Sequence, residues 1–130
     1  MKHFEYVGIS SNRSRELAQV LTNSIRARIQ KGLDIHDQPA PPLNPRYAKA
    51  KIKHGRAPIR DWNYSGRTLA AMGPVAGADG IVVGFNNPTA ARTAAILNAR
   101  SQQFGISPKD RRAVIAVLNQ IPHGELVRVA

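Results

Sequence analysis

The nine prolines of this 130-residue chain constrain its fold more than any other residue type. Proline fixes φ and removes a backbone donor, so it suits the first position of a helix and disrupts helix interiors and central strands. Three prolines directly follow a capping residue, at Asn44-Pro45, Asn87-Pro88 and Ser107-Pro108. These pairs predict a short helix from Pro45 to about His54, ended by Gly55, and two later helices beginning at Pro88 and Pro108. The third start is the strongest, because Ser107-Pro108-Lys109-Asp110 also places an acid where a capping box needs one. Pro39, Pro41, Pro42 and Pro45 crowd the stretch 33–45 and exclude helix and central strand there. An extended, polyproline-like connector is expected, either a plain surface loop or an arm placed to reach a neighbouring subunit.

Upstream of that connector, Leu17, Val20, Leu21, Ser24, Ile25, Arg28 and Ile29 repeat at the spacing of one helical face. Asn12 can cap that helix and Gly32 can end it, which predicts an amphipathic helix over 13–31. Residues 4–9 (FEYVGI) read as an edge strand or extended arm. The stretch 64–72 reads as a helical turn opened by Ser65 and stopped at Gly73-Pro74. Residues 75–85 form the clearest hairpin candidate, with Asp79-Gly80 as the turn and 81–85 as the best strand. Ala91, Ala94, Ala95, Leu97 and Asn98 share a face of the Pro88 helix, and Val114, Ile115, Val117, Leu118 and Ile121 share one after Pro108. The alternating tail 125–129 can close the sheet. Without regular strand–helix alternation, the class is α+β: a small antiparallel sheet, made of the hairpin at about 75–85 and the terminal strands, packed against a long N-terminal helix and two C-terminal helices.

One domain spanning 1–130 fits this length, and such a chain buries roughly two thirds of its unfolded surface. Aromatic residues make up only 5%, so the core is light and oligomerisation is a natural supplement. The chain has no cysteine, which excludes disulfides, thiolate metal sites and a cysteine nucleophile. No apolar run has the length of a signal peptide core or a membrane span, so a protein that is neither exported nor membrane-embedded is expected.

Charge is the strongest functional signal. The formal net charge is +11, which favours phosphates and acidic surfaces as partners. Between Asn44 and Arg67 the chain carries Arg46, Lys49, Lys51, Lys53, Arg56, Arg60 and Arg67 against the single acid Asp61, a local excess of 7 − 1 = +6. These seven cations are the candidate subunit-contact or DNA-facing residues.

Catalytic sets are missing from the sequence. His3, His36, His54 and His123 are isolated, and only His36 lies between acids, Asp34 and Asp37, where ordinary polar loop residues are the plainer reading than a weak metal site. The glycines at 77, 80 and 84 do not precede a helix as a phosphate loop requires, so hairpin turns account for them better. No metal, cofactor or enzymatic activity is expected. Trp62, the only tryptophan, fits a core anchor beside Leu69 and Met72 better than an aromatic contact to a partner, and Arg60-Asp61 beside it reads as a local ion pair. A helix-turn-helix around Gly105 would send Lys109, Arg111 and Arg112 into a DNA groove; a small basic DNA-binding protein, contacting phosphates through 46–67 or 108–121, is therefore the alternative. Those cations occupy a first helical turn, where positive charge is disfavoured without an anion nearby.

Four segments taken in order carry a resemblance. They are 43–51 (LNPRYAKAK), 59–69 (IRDWNYSGRTL), 81–85 (IVVGF) and 104–111 (FGISPKDR). Their succession resembles tailed-bacteriophage virion-morphogenesis proteins of the tail-completion and head-to-tail joining type, over about residues 12–121. The chain departs from the better-known members in carrying 97–103 (LNARSQQ) where they have an aromatic-His-Gln segment. The resemblance implies a non-enzymatic structural protein of the virion, a homo-oligomeric ring at the neck or tail terminus, assembled in the host bacterial cytoplasm. Its implied partners are further copies of itself, neighbouring connector and tail-tube proteins, and phage DNA passing through a lumen.

Overall fold

A computed structural model of the chain describes residues 6–9, 11–63, 66–75, 82–120 and 126–129. The element order is β1 (Tyr6–Ile9), α1 (Ser11–Gln30), α2 (Pro45–Lys53), α3 (Arg67–Ala70), β2 (Met72–Pro74), β3 (Val83–Phe85), α4 (Pro88–Arg100), α5 (Pro108–Leu118) and β4 (Leu126–Val129). The fold is α+β, as the residue pattern predicts.

Helix boundaries follow the local chemistry of the chain. The Asn44 and Asn87 side chains accept the Arg46 and Ala90 amides, and proline occupies the first turn of both helices. At α5 the capping box is complete: Asp110 N–H donates to Ser107 Oγ at 3.1 Å, and Ser107 N–H donates to Asp110 Oδ2 at 2.9 Å. Helix α1 begins earlier than expected, at Ser11, so Asn12 lies within its first turn instead of capping it. It ends where Gly32 takes φ +73°, with Gly32 N–H donating to Ile29 O and Leu33 N–H donating to Arg28 O. That two-bond closure requires a left-handed residue, which glycine supplies without strain.

The strands depart from expectation in two ways. β2 starts at Met72, so Gly73-Pro74 lies inside a strand and is no helix stop. Pro74 is tolerated because it faces Val83, while the hydrogen bond from Val75 N–H to Val82 O falls at the next pair; in an antiparallel ladder such bonded pairs alternate with unbonded ones. The terminal strands, moreover, do not join the hairpin. β1 pairs antiparallel with β4, Tyr6 opposite Val129, as a second two-stranded sheet, so each sheet satisfies its own inner row of backbone groups. The expected Asp79-Gly80 turn and the Ser65 helix start lie outside the described residues.

The core is built on α1. Leu21, Ile25 and Ile29 pack with Trp62, Leu69, Met72 and Ala94, and with the partly buried Val83, Phe85, Leu97, Phe104 and Val114. α5 lies along α1, whereas α4 packs on α3 and β3. The buried stripe of α4 is Ala90 and Ala94, with Ala91 and Ala95 exposed, because the helix is rotated by about one residue from the expected face. Arg26 ties α1 to the opposite layer, donating from Nη2 to Met72 O at 2.6 Å and from Nε to Leu69 O at 3.1 Å.

Candidate functional site

The basic segment forms one face of α2 and the turn that follows. At about 100° per residue, Arg46, Lys49 and Lys53 make a single stripe along the helix, and Lys51 falls on the opposite side. Arg46, Lys49, Lys53 and Arg56 are exposed and form no ion pair among the described residues. Lys51 is only 1% exposed, so it is not a surface contact residue. Its Nζ donates to Asp61 Oδ1 at 2.5 Å and to Ile59 O at 2.6 Å.

This pairing also corrects the expected Arg60–Asp61 contact. Asp61 is committed to Lys51, and the half-buried Arg60 instead donates to the carbonyls of Pro41, at 2.7 Å, and Pro42. Asp61 additionally accepts the Asn63 amide at 3.0 Å, closing a tight turn over Trp62. Trp62 has φ +58°, a left-handed conformation that costs a bulky residue on the order of 1–3 kcal/mol. Its indole Nε1 is buried with no acceptor among the described residues, a comparable cost. Burial of the ring opposes both: at about 25 cal/mol per Å² a buried tryptophan contributes roughly 4 to 6 kcal/mol. Trp62 packs beside Leu69 and Met72 and stacks on Phe104 with centroids 6.4 Å apart, so it is a core anchor, held in a strained turn by the Lys51–Asp61 pair.

With Lys51 and Asp61 cancelling, the segment's remaining cations are Arg46, Lys49, Lys53, Arg56, Arg60 and Arg67. Nothing acidic in the segment offsets them. The excess of positive charge is therefore carried by side chains at or near the surface, on the stripe of α2, the turn after it and the Arg67 end of α3.

The proline-rich connector is fastened to its own chain. Asp34 N–H donates to Gln38 O, and Asp34 Oδ1 accepts the amides of His36 and Gln38, so the first half is a closed turn. Ile35 N–H donates to Gln102 O, and Asp37 Oδ2 accepts the Lys109 amide at 3.0 Å, beside the N-terminus of α5. Asp34 and Asp37 both accept backbone amides, so the carboxylates of 34–37 act as a loop clamp. Among the described residues no group of three potential metal ligands comes together.

Asp37 also explains the cations at the start of α5. Lys109, Arg111 and Arg112 are exposed there, and the chain's own Asp37 and Asp110 supply the negative charge that a helix N-terminus favours. Burial pushes the Asp37 carboxyl up, but the Lys109 amide, the Ser107 hydroxyl beside it and the charges of Arg28 and Lys109 outweigh this and hold it below the usual value. A depressed carboxylate contributes stability above its unfolded pKa and loses it as pH falls through the folded one. Asp37→Asn, which tolerates the same positive φ, is therefore expected to lower the urea midpoint at pH 7. The gap from the parent should close as pH falls below about 4. Parallel urea melts at pH 7 and pH 3 check this, and a gap undiminished at pH 3 would remove Asp37 ionisation as its source.

The two helices of the suggested helix-turn-helix make their main contacts with different elements, α4 with α3 and β3 and α5 with α1. The site residue that sequence reasoning missed is Gln103, 1% exposed, whose side-chain amide donates to Arg60 O at 2.6 Å. It anchors the strained turn from below, and its place in a loop gave no periodic signal. No helix among the described residues is long and apolar enough to cross a membrane. No family model matches the chain, and neither a curated protein nor a solved structure matches it significantly.

Proposed function

We propose that this chain is a non-enzymatic structural protein of a phage virion, a tail-completion or head-to-tail connector component that assembles as a ring of identical subunits. The observation that carries the reading is the fate of the motifs behind the resemblance. Asp61 is spent on Lys51, the Ser107–Asp110 element on capping α5, and the Gly84 of Val-Gly-Phe on the hairpin, where a Cβ would come within 2.5 Å of Val75 Cγ2. These residues build a scaffold and leave a bare cationic stripe on α2. Repeated around a ring axis, such a stripe becomes a continuous positive field facing DNA or an acidic neighbouring ring.

Two further features support self-assembly. Both sheets have only two strands among the described residues, and such ribbons are marginal alone. Ile52, Ile96, Ile106 and Ile115 are each about half exposed, an apolar surface that a neighbour can cover.

The alternative, a small DNA-binding protein, draws on the same stripe. Size-exclusion chromatography with light scattering, at low and high salt and with a short duplex, separates the two. A closed oligomer, or a monomer indifferent to DNA, supports the assembly reading. A stoichiometric complex of a monomer or dimer with DNA, weakening linearly with log salt, overturns it. The variant Arg46→Glu/Lys49→Glu/Lys53→Glu is expected to keep its helical circular dichroism and a melting temperature within a few degrees of the parent, because surface substitutions typically change stability by about 0.5 kcal/mol or less. It should lose ring formation or incorporation into particles. Normal assembly by this variant removes the stripe from the contact surface.

A further inference from the structure

On the side of α2 away from the cationic stripe, a cavity of about 250 Å³ opens between the proline-rich connector, α2, the 59–62 turn and the end of α4. Its apolar lining includes Leu43, Tyr47, Trp62 and Leu97, and its charged lining is Lys51, Arg60 and Arg100, with no acid among the lining residues. Lys51 is neutralised by Asp61, and Arg60 is partly engaged by the carbonyls of Pro41 and Pro42. Arg100 is exposed and pairs with nothing among the described residues.

We infer that this cavity is a socket for an acidic segment of a partner protein, in which an apolar side chain fills the space against Leu97 and Tyr47 and an adjacent carboxylate pairs with Arg100. Three observations converge on that guest. The volume suits one large side chain, Leu43, Tyr47 and Leu97 give a mixed wall its apolar part, and the available charge is an arginine fork whose geometry matches a carboxylate. Trp62, which lines the same cavity, has its indole Nε1 buried without an acceptor among the described residues. A nucleic-acid backbone is the poorer fit. Lys51 and Tyr47 lie across α2 from Arg46, Lys49 and Lys53, so a duplex following the stripe runs away from the socket. The inference stands apart from the assembly reading, since it concerns the opposite face of α2.

Because Trp62 is the only tryptophan, its fluorescence reports on the socket wall directly. The full chain is applied to an array of short Gly-Ser peptides that carries every ordered pair of amino acids at two central positions. The strongest binders are expected to join Asp or Glu to a large apolar residue and to weaken at least tenfold when the acid becomes Asn or Gln. The best peptide in solution should shift Trp62 emission. Arg100→Glu should weaken it at least tenfold and Arg100→Gln less, whereas Lys49→Glu on the opposite stripe leaves it unchanged. No selective binding, binders without acids, equal loss in Lys49→Glu, or displacement of the peptide by a short DNA duplex would each overturn the inference. Peptide binding retained by an Arg46→Glu/Lys49→Glu/Lys53→Glu chain that no longer assembles separates this socket from the assembly surface.

Discussion

Lys51→Met is expected to destabilise the chain by about 3–5 kcal/mol, the cost of leaving one member of a buried ion pair unpartnered. Lys51 and Asp61 are both almost wholly buried, with side-chain exposures of 2% and 6%, so water cannot replace the missing ammonium. The loss also propagates. Asp61 holds the Asn63 amide and so shapes the turn that keeps Trp62 in its left-handed conformation. Without Lys51 that turn gains a buried, uncompensated charge next to a residue already under strain. A domain of this size has a total stability of about 5–15 kcal/mol, so the loss is a large fraction of the total and the variant should unfold at a clearly lower urea concentration than the parent. Urea unfolding followed by Trp62 fluorescence measures this directly. The double variant Lys51→Met/Asp61→Asn should recover much of the loss, because it removes the orphaned charge while keeping an acceptor for Asn63. A cost for Lys51→Met below about 1 kcal/mol would mean that the pair behaves as a solvated surface contact and that the turn is held by something else.

The pair also shows where sequence reasoning reaches its limit. In the sequence Lys51 is one of seven cations in a run and looks like its neighbours. Its difference is angular: once Pro45 fixes the helix start, Lys51 falls opposite Arg46, Lys49 and Lys53, and a lone cation on the inner side of a short helix needs a buried acid. The helix starts themselves were legible, because Asn44, Asn87 and Ser107 act on amides two or three residues away. The hairpin register was less so. Gly73-Pro74 carries the local signature of a stop, and only its position opposite Gly84 and Val83 makes it compatible with a strand. The attachment of the connector was hidden for the same reason. Its prolines specify extended backbone locally, while the contacts of Asp37, Ile35 and the Pro41 carbonyl that bind it to its own chain run to residues 19 to 72 positions away.

Asp110→Ala is the second large effect, and about 3–5 kcal/mol is again expected, because one carboxylate holds three partners at once. Asp110 is fully buried. It closes the α5 capping box through Ser107 N–H, accepts the Ser24 hydroxyl at 2.6 Å and pairs with Arg28 Nε at 3.0 Å. Arg28 in turn donates to Gly105 O and Leu33 O, so its guanidinium joins α1, the turn after it and the loop before α5. The signal for this network was present in the sequence. Ser24 and Arg28 share the face of Leu21, Ile25 and Ile29, and polar side chains on a core-facing stripe require a buried partner. What the sequence does not specify is that the partner sits 82 residues away, in a capping box that is complete in itself. Loss of the cap alone costs about 1 kcal/mol, so the two roles separate quantitatively. Ser107→Ala, which removes a capping hydroxyl but leaves Arg28 paired, should cost near that smaller figure. Asp110→Ala, which strands Arg28 in the interior, should cost several times more. Arg28→Met/Asp110→Asn should return part of the way, since an amide can still accept from Ser107 N–H once no buried cation needs it. Chemical denaturation of the three variants distinguishes the cases, and an Asp110→Ala cost no larger than that of Ser107→Ala would reduce Asp110 to a helix cap and leave α5 held on α1 by its apolar contacts alone.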